Sequence, residues 1–247
     1  MRFFIELSYR GENYHGWQIQ PSSNTVQQEI NQAISLLLKE NIIIVGAGRT
    51  DAGVHAKKMF AHFDYAKNFQ INDLIFRLNQ LLPEDIAIHD IFRVIDDKSA
   101  RFDALSRTYQ YYVTYSKNPF VKDAYLIHNH LDLELMNLAS KYLIGKKDFT
   151  SFAKVNKQVH TNICHVISSE WIQKEDLVIF TIKSDRFLWN MVRSIVGTLL
   201  EVGRNNIKPE EIEYIMSKKN RSAAGFSVPA KALFLTDIEY PKDIFYA

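Results

Sequence analysis

The chain has 247 residues, of which 47% are hydrophobic and 23% are charged, and its net charge is +2. This composition is that of a globular protein with a sizeable core, in either one large domain or two small ones. The N-terminus has no secretory signal pattern, no apolar run approaches the ~20 residues of a membrane helix, and a lone cysteine, Cys164, excludes an internal disulfide, so we expect a cytoplasmic protein.

The first half of the chain mixes alternating and helical hydrophobic patterns. Thr25 and Gln28 have the spacing of a capping box, which predicts a helix that begins at Thr25 or at its neighbour Asn24. Pro83 ends a second predicted helix. The patterns predict, in chain order, a strand at Phe3–Tyr9, the capped helix, strands at Ile42–Val45 and Met59–Tyr65, a helix at Asn72–Leu82 and a strand at Ile86–Val94.

The second half repeats this order of elements without repeating the sequence. It is predicted to contain strands at Arg107–Tyr115, Cys164–Gln173, Leu177–Ser184 and Leu233–Tyr240, and helices at Leu131–Leu143, Phe187–Val202 and Pro209–Met216. We therefore predict an α+β fold of two similar halves, residues 1–103 and 104–247, whose mostly antiparallel sheets lie side by side.

A glycine-rich segment, VGAGRTDAGVHA, spans Val45 to Ala56. It is open to three interpretations: a phosphate-binding loop, a tight turn, or a loop that carries a nucleophile into a cleft. The first is disfavoured, because the segment lacks the lysine and hydroxyl of a Walker loop and Asp51 stands where a dinucleotide-binding loop has its third glycine. The tight turn stays open, since glycine, threonine and aspartate are all typical of turns.

One charged residue interrupts the apolar segment FLWNMVRSIVGTLL, and that residue is Arg193. A partly buried guanidinium needs an anionic or a carbonyl partner. If that partner is Asp51, the cation keeps the carboxylate ionised and oriented, which suits nucleophilic catalysis. A structural ion pair or a side chain that extends to solvent explains Arg193 equally well at this point.

Two other kinds of site receive less support. The histidines of HNH (His128–His130) and HTNICH (His160–His165) have no thiolate pairs or acids at ligand spacing, which disfavours a metal site. Basic residues gather in three clusters, and each is a surface that could bind RNA or simply face solvent. The clusters are Lys57–Lys58, then Lys146–Lys147 with Lys154 and Lys157, then Lys218–Lys219 with Arg221.

The segment AGRTDAGVHA closely resembles the active-site motif of the bacterial tRNA pseudouridine synthase A family. Further segments match that family in order and spacing: YHGWQIQ, ARFDALSRTYQY, DFTSFA, FLWNMVRSIVG and AGFSVPAKALFL. The chain departs from the family pattern at Arg10, where an aspartate is usual, and in Val228–Leu233, where the pattern reads A-P-A-x-G-L. The resemblance covers nearly the whole chain.

The resemblance implies roles for four residues within a pseudouridine synthase fold. Asp51 matches the nucleophilic aspartate, and Arg193 matches the arginine that pairs with it. Tyr109 matches the tyrosine that packs against the target base, and Arg49 matches the loop arginine that helps to extrude the nucleotide.

The resemblance further implies the reaction, the substrate and the assembly. These are isomerisation of uridine to pseudouridine at positions 38, 39 and 40 of the tRNA anticodon stem-loop, with no cofactor, by a homodimer whose two subunits both contact the tRNA. Two other functions stay open on the residues alone. They are a non-catalytic RNA-binding module and a nucleoside glycosidase, although the latter class usually needs two carboxylates.

Overall fold

The structure is a computed structural model that describes residues 1–155 and 160–244. The predicted α+β class is confirmed, with helices beside mostly antiparallel strands. The chain divides into two compact units, which we call unit 1 (Met1–Leu105 with Leu235–Ala247) and unit 2 (Ser106–Phe234). The end of the chain, which the sequence assigns to the second half, therefore groups with unit 1.

The secondary structure elements are numbered along the described chain. The strands are β1 Arg2–Tyr9, β2 Val45–Gly46, β3 His55–Asp64, β4 Ile86–Val94, β5 Ser106–Thr114, β6 Tyr125–Leu126, β7 Gly145–Asp148, β8 Ile163–Lys174, β9 Leu177–Ser184 and β10 Leu233–Glu239. The helices are α1 Val26–Leu38, α2 Ile71–Leu81, α3 Leu133–Lys141, α4 Met191–Gly203 and α5 Glu211–Ser217.

Unit 1 contains strands in the order β4-β1-β3-β10, and the short β2 pairs with β3. Strand β1 pairs antiparallel with both β3 and β4, so Phe4 lies opposite His62 on one side and Phe92 on the other. Phe4 is fully buried and packs its ring edge against Tyr240 at 5.4 Å. The C-terminal segment thus belongs to the core of unit 1, which explains why it groups there.

Unit 2 is a sheet with strand order β5-β9-β8-β7, in which these neighbours are antiparallel, and β6 pairs parallel to β5. Helix α4 is its most buried helix: eleven of its thirteen residues are buried, and Arg193 is one of the two exceptions. A helix that is apolar almost all round is expected to lie inside a core. The packing of α4 in the core of unit 2 therefore fixes the position from which the Arg193 side chain extends.

Two element bounds differ from the prediction for identifiable reasons. The predicted helix Phe187–Val202 begins only at Met191, because Asn190 has a left-handed backbone (φ 65°) and cannot continue a right-handed helix. Of the predicted strand Ile42–Val45, only Val45 lies in a strand, the two-residue β2, which continues to Gly46. Here the amide of Ile44 bonds to the Asn31 side chain of α1 instead of to a neighbouring strand.

The start of α1 and its N-cap residue are confirmed, but the side-chain hydrogen bond expected of a capping box is not formed. Thr25 is the N-cap residue with extended backbone, yet its side chain makes no capping hydrogen bond. Its hydroxyl is buried and has no hydrogen-bond partner among the described residues. The first amides of the helix bond instead to the carbonyls of Gly16 and Trp17. A loop from before the helix therefore replaces the side-chain cap.

One buried histidine of unit 1 makes the stability of the fold depend on pH. His62 of β3 accepts a hydrogen bond at Nδ1 from the amide of Ala100 at 3.1 Å and is 7% exposed. Burial, together with the nearby Arg2 cation, lowers the pKa of His62 from 6.5 to about 4. The unfolded chain therefore takes up this proton at a higher pH than the folded chain, so stability falls as pH drops from 6.5 through 4.

We predict that His62→Asn reduces this loss, because asparagine keeps an acceptor for Ala100 but does not titrate. Between pH 7 and pH 4.5 the wild type should lose on the order of 2 to 3 kcal/mol more unfolding free energy than the variant. Urea unfolding followed by circular dichroism at both pH values measures the difference. Equal losses in the two proteins would show that His62 does not titrate as described.

Candidate active site

The loop that carries Asp51 lies between β2 and β3 in unit 1. Gly46 pairs with Ala61, and the amide of Ala47 donates to the carbonyl of Phe60 at 2.8 Å, so the chain leaves the sheet immediately after this point. It returns at His55, where β3 begins. Asp51 is half-buried in this loop.

Thr50, directly before Asp51, is bound at both its side chain and its backbone. Its hydroxyl lies 2.7 Å from the hydroxyl of Tyr9, in a buried hydrogen bond. Its carbonyl accepts from the amide of Trp17 at 3.2 Å. Because both contacts act on the adjacent residue, they fix the backbone from which the Asp51 carboxylate projects.

The segment from Tyr9 to Trp17 supports the loop at two more points. The amide of Gly11 donates to Nδ1 of the buried His55 at 3.1 Å, and the amide of Gly53 donates to the carbonyl of Tyr14 at 3.4 Å. The hydroxyl of Tyr14 in turn donates to the Asp85 carboxylate, and burial together with this bond raises the pKa of Tyr14. The loop is therefore braced along its length by a segment distant in sequence.

Sequence reasoning missed these supporting residues. Tyr14 and Trp17 lie in the matched segment YHGWQIQ, and His55 lies in AGRTDAGVHA, but residue type alone assigns them no partner. The one feature of the sequence that points to them is that both motifs occur in the same chain. Contact between the motifs became visible only in the structure.

Gly16 shows how closely the supporting segment approaches the loop. Its φ of +91° is in the left-handed region, and a Cβ added there would lie 2.5 Å from the carbonyl oxygen of Thr50. No other residue type is compatible with both the conformation and the contact. Gly48, inside the loop, differs, because a Cβ there would meet nothing within 4 Å.

Arg193 lies on the third residue of α4 in unit 2 and is half-buried. Its Nε donates to the carbonyl of Val228 at 2.7 Å, and its own carbonyl accepts from the amide of Val228 at 3.3 Å. The carbonyl partner expected for a partly buried guanidinium is thus Val228. Because both contacts use the main chain of Val228, the departure from the family's alanine leaves them unchanged.

Tyr109 lies on β5, opposite Ile182 of β9, and its ring is half-buried. It packs edge-on against Phe187 with the ring centres 5.1 Å apart. Tyr111, two residues later on the same strand, is fully buried. Of these two tyrosines, only Tyr109 keeps an accessible ring that a planar base could contact.

The site residues belong to different units. Asp51 and Arg49 lie in the loop of unit 1, where Arg49 is exposed, whereas Tyr109 and Arg193 lie in unit 2. The structure brings Thr50 and its supporting segment together in one unit, and Arg193 and Val228 together in the other. The pairing of Asp51 with Arg193 stays a prediction.

Members of the three basic clusters contact either a carboxylate or an aromatic ring. Lys58 is 3.2 Å from Asp237, Lys219 is 3.2 Å from Asp148, and Lys154 lies over the half-exposed ring of Trp189. Lys157 lies outside the described residues.

Within residues 1–155 and 160–244, no group of three His, Cys, Asp or Glu side chains could hold a metal ion. No helix in the same residues is long and apolar enough to cross a bilayer.

A family model matches part of the chain, and named relatives match nearly all of it. Residues 139–241 match the family model described as tRNA pseudouridine synthase. A protein of Parabacteroides distasonis named tRNA pseudouridine synthase A is 51% identical over 99% of this chain and 98% of its own length. Proteins of the same name from Bacteroides fragilis (48% identical, 99% of this chain and 98% of that protein) and Bacillus pumilus (38%, 97% and 99%) are also similar.

We predict that Gly16→Ala destabilises the protein by about 1 to 3 kcal/mol, because the new methyl group would overlap the Thr50 carbonyl in a strained backbone. Gly48→Ala is the matched control, and its unfolding free energy should stay within ~0.5 kcal/mol of wild type. Urea unfolding of the three proteins measures both values. A Gly16→Ala protein as stable as wild type would contradict the close packing between loop and support.

Proposed function

The chain belongs to the tRNA pseudouridine synthase A family, and on this basis we propose that it isomerises uridine to pseudouridine in tRNA. The proposed sites are positions 38, 39 and 40 of the anticodon stem-loop, and the proposed nucleophile is Asp51. The family membership rests on relatives that are about half identical over nearly the full length. It favours an isomerase over a non-catalytic RNA-binding module or a nucleoside glycosidase.

The reaction needs no external reagent, because substrate and product are isomers. The N1–C1′ bond breaks, the uracil turns within the site, and a C5–C1′ bond forms while the C5 proton is lost and N1 gains one. No electrons are gained or lost overall, so we propose that the enzyme uses no cofactor. The protein must supply a nucleophile or base, a surface for the detached base, and protection from water.

The support given to Asp51 is the observation that carries the proposed mechanism. The hydroxyl and carbonyl of Thr50 hold the loop at the residue directly before it. A carboxylate on such a fixed backbone is oriented before the substrate binds, which lowers the entropic cost of reaching the reactive geometry. The same ionised oxygen serves whether Asp51 attacks C1′ or assists loss of a C2′ proton.

The other site residues have complementary proposed roles. Arg193 orients the Asp51 carboxylate and stabilises its negative charge. Tyr109 stacks on the uracil through its accessible ring without adding a charge. Arg49, exposed two residues before the nucleophile, enters the space vacated by the target nucleotide and contacts phosphate, which offsets an unstacking cost of a few kcal/mol.

We also propose that the protein works as a cytoplasmic homodimer, with one tRNA in contact with both subunits. A net charge of +2 is compatible with tRNA binding, because local basic surfaces can bind an RNA helix through its phosphates and its shape. Lys154 beside Trp189 is one such surface, since it offers a cation and an aromatic ring together.

We predict that Asp51→Asn abolishes pseudouridine formation on unmodified tRNA while the Kd for tRNA changes less than about tenfold, ~1.4 kcal/mol. Asparagine keeps the size of the side chain but is not an ionised nucleophile. Pseudouridine mapping and chromatography of the wild-type reaction identify the product. Free uracil would indicate a glycosidase, unchanged tRNA would indicate a binding module, and wild-type turnover by the variant would exclude Asp51 as nucleophile.

We predict that Arg193→Met lowers the single-turnover rate by about two orders of magnitude or more, because the carboxylate would lose the cation that orients it. Arg204→Met is the control. Arg204 lies directly after the same helix and pairs with Glu201 at 2.6 Å, so its loss should leave the rate unchanged. Near-normal turnover of a folded Arg193→Met protein would show that this arginine has another partner.

A further inference from the structure

Arg221 belongs to a basic cluster by sequence, but its guanidinium bonds to its own chain. Nη1 donates to the carbonyls of Ala224 and Gly225 at 3.3 and 2.9 Å, and Nη2 donates to the hydroxyl of Ser227 at 3.0 Å. Burial lowers the pKa of Arg221, although an arginine stays charged at any physiological pH. Three bonds to one short segment suggest that Arg221 shapes that segment.

The segment held by Arg221 lies directly on α4. The amide of Gly225 donates to the hydroxyl of Thr198 at 2.9 Å. A Cβ added to Gly197 would lie 1.8 Å from the carbonyl oxygen of Phe226, so the backbone of the segment and the helix are in direct contact. Such an approach leaves the segment little freedom to shift along the helix.

The same segment ends in the residue that binds Arg193. Val228 accepts from Nε of Arg193 at 2.7 Å, and its amide donates to the Arg193 carbonyl. On the far side, the carbonyl of Pro229 accepts from the hydroxyl of the buried Tyr111 at 3.0 Å. We call residues 221–229 the arginine clamp.

A second side chain joins the clamp to the start of α4. Nδ2 of Asn190, the N-cap residue, donates to the hydroxyls of Ser194 and Ser227 at 2.8 and 2.7 Å. Ser227 is therefore bound by both Asn190 and Arg221. The hydrogen bonds run from Arg221 through Ser227 to the helix turn that carries Arg193.

We propose that Arg221 is a positioning residue for the isomerisation. It holds the clamp so that the carbonyl of Val228 fixes the direction of the Arg193 guanidinium. This inference rests on the proposed role of Arg193 toward Asp51. A planar guanidinium suits the task, since its forked donors reach three acceptors at once and a lysine ammonium does not reproduce that geometry.

Two other roles of Arg221 make different predictions. An RNA contact would weaken tRNA binding on substitution, because a phosphate would lose its cation. A purely structural role would lower thermal stability and leave the rate per folded molecule unchanged. A positioning role lowers the rate of the bound complex and leaves the affinity for tRNA nearly intact.

The test compares Arg221→Met, Arg221→Lys and Ser227→Ala with wild type, and Arg204→Met is the matched control. Single-turnover pseudouridine formation at saturating enzyme gives the rate, filter binding of unmodified tRNA gives Kd, and thermal unfolding gives the folded fraction. Ser227→Ala keeps the backbone of the clamp and removes only the shared hydroxyl, so it remains informative if Arg221→Met folds poorly.

We expect Arg221→Met to lower the rate by about tenfold to a hundredfold, with the Kd for tRNA changed less than about threefold. Arg221→Lys and Ser227→Ala should fall between Arg221→Met and wild type, and Arg204→Met should match wild type. A raised Kd with a normal rate, or a normal rate per folded molecule, overturns the proposal.

A double variant tests whether Arg221 acts through Arg193. Lysine at position 193 has no Nε–H for Val228, so Arg221→Met should have little further effect in an Arg193→Lys background. Full additivity of the two effects overturns the proposal. If Arg193→Met is inactive while the Arg221 variants are normal, only this inference fails. If Arg193→Met is active, the proposed role of Arg193 fails first.

Discussion

Main-chain contacts between segments that are distant in sequence fix the backbone at Asp51 in unit 1 and at Arg193 in unit 2. In unit 1 the carbonyl of Thr50 accepts from the amide of Trp17, and in unit 2 the amide of Val228 donates to the carbonyl of Arg193. Beside each contact the backbones come close: a Cβ on Gly16 would overlap the Thr50 carbonyl, and a Cβ on Gly197 would overlap the carbonyl of Phe226, two residues before Val228. The position of each reactive side chain therefore depends on packing that surrounds it, and a small shift of either backbone would move a charged group.

These contacts serve two electrostatic requirements of the proposed reaction. A half-buried guanidinium loses part of its hydration, and the Val228 carbonyl replaces some of what water supplied. A nucleophilic carboxylate must also keep one direction, and a loop held at Thr50 provides this before the substrate binds.

Sequence patterns predicted the regular elements well and their irregular ends poorly. Strands β4 and β9 lie where the sequence patterns placed them, at Ile86–Val94 and Leu177–Ser184. The start of α4 was placed four residues early, since apolar periodicity continues through residues 187–190 while the backbone of Asn190 turns left-handed. Thr25 is the N-cap of α1 as expected, but its side chain makes no capping hydrogen bond, because carbonyls of Gly16 and Trp17 accept from the first helix amides. Local patterns do not report such competition from a distant segment.

The sequence by itself determined the chemistry that the chain carries. Three features identify the family and the candidate residues: the motif around Asp51, the single arginine of an apolar helix and the alternating tyrosines of β5. Residue types and their spacing can be read directly from the sequence. Only the tertiary structure decided what holds those residues in place. Tyr9, Trp17 and Arg221 act through hydrogen bonds to a hydroxyl or to main-chain groups, and such groups occur all along the chain. Which of them meet depends on how the backbone folds, so no local pattern of residues predicts these partners.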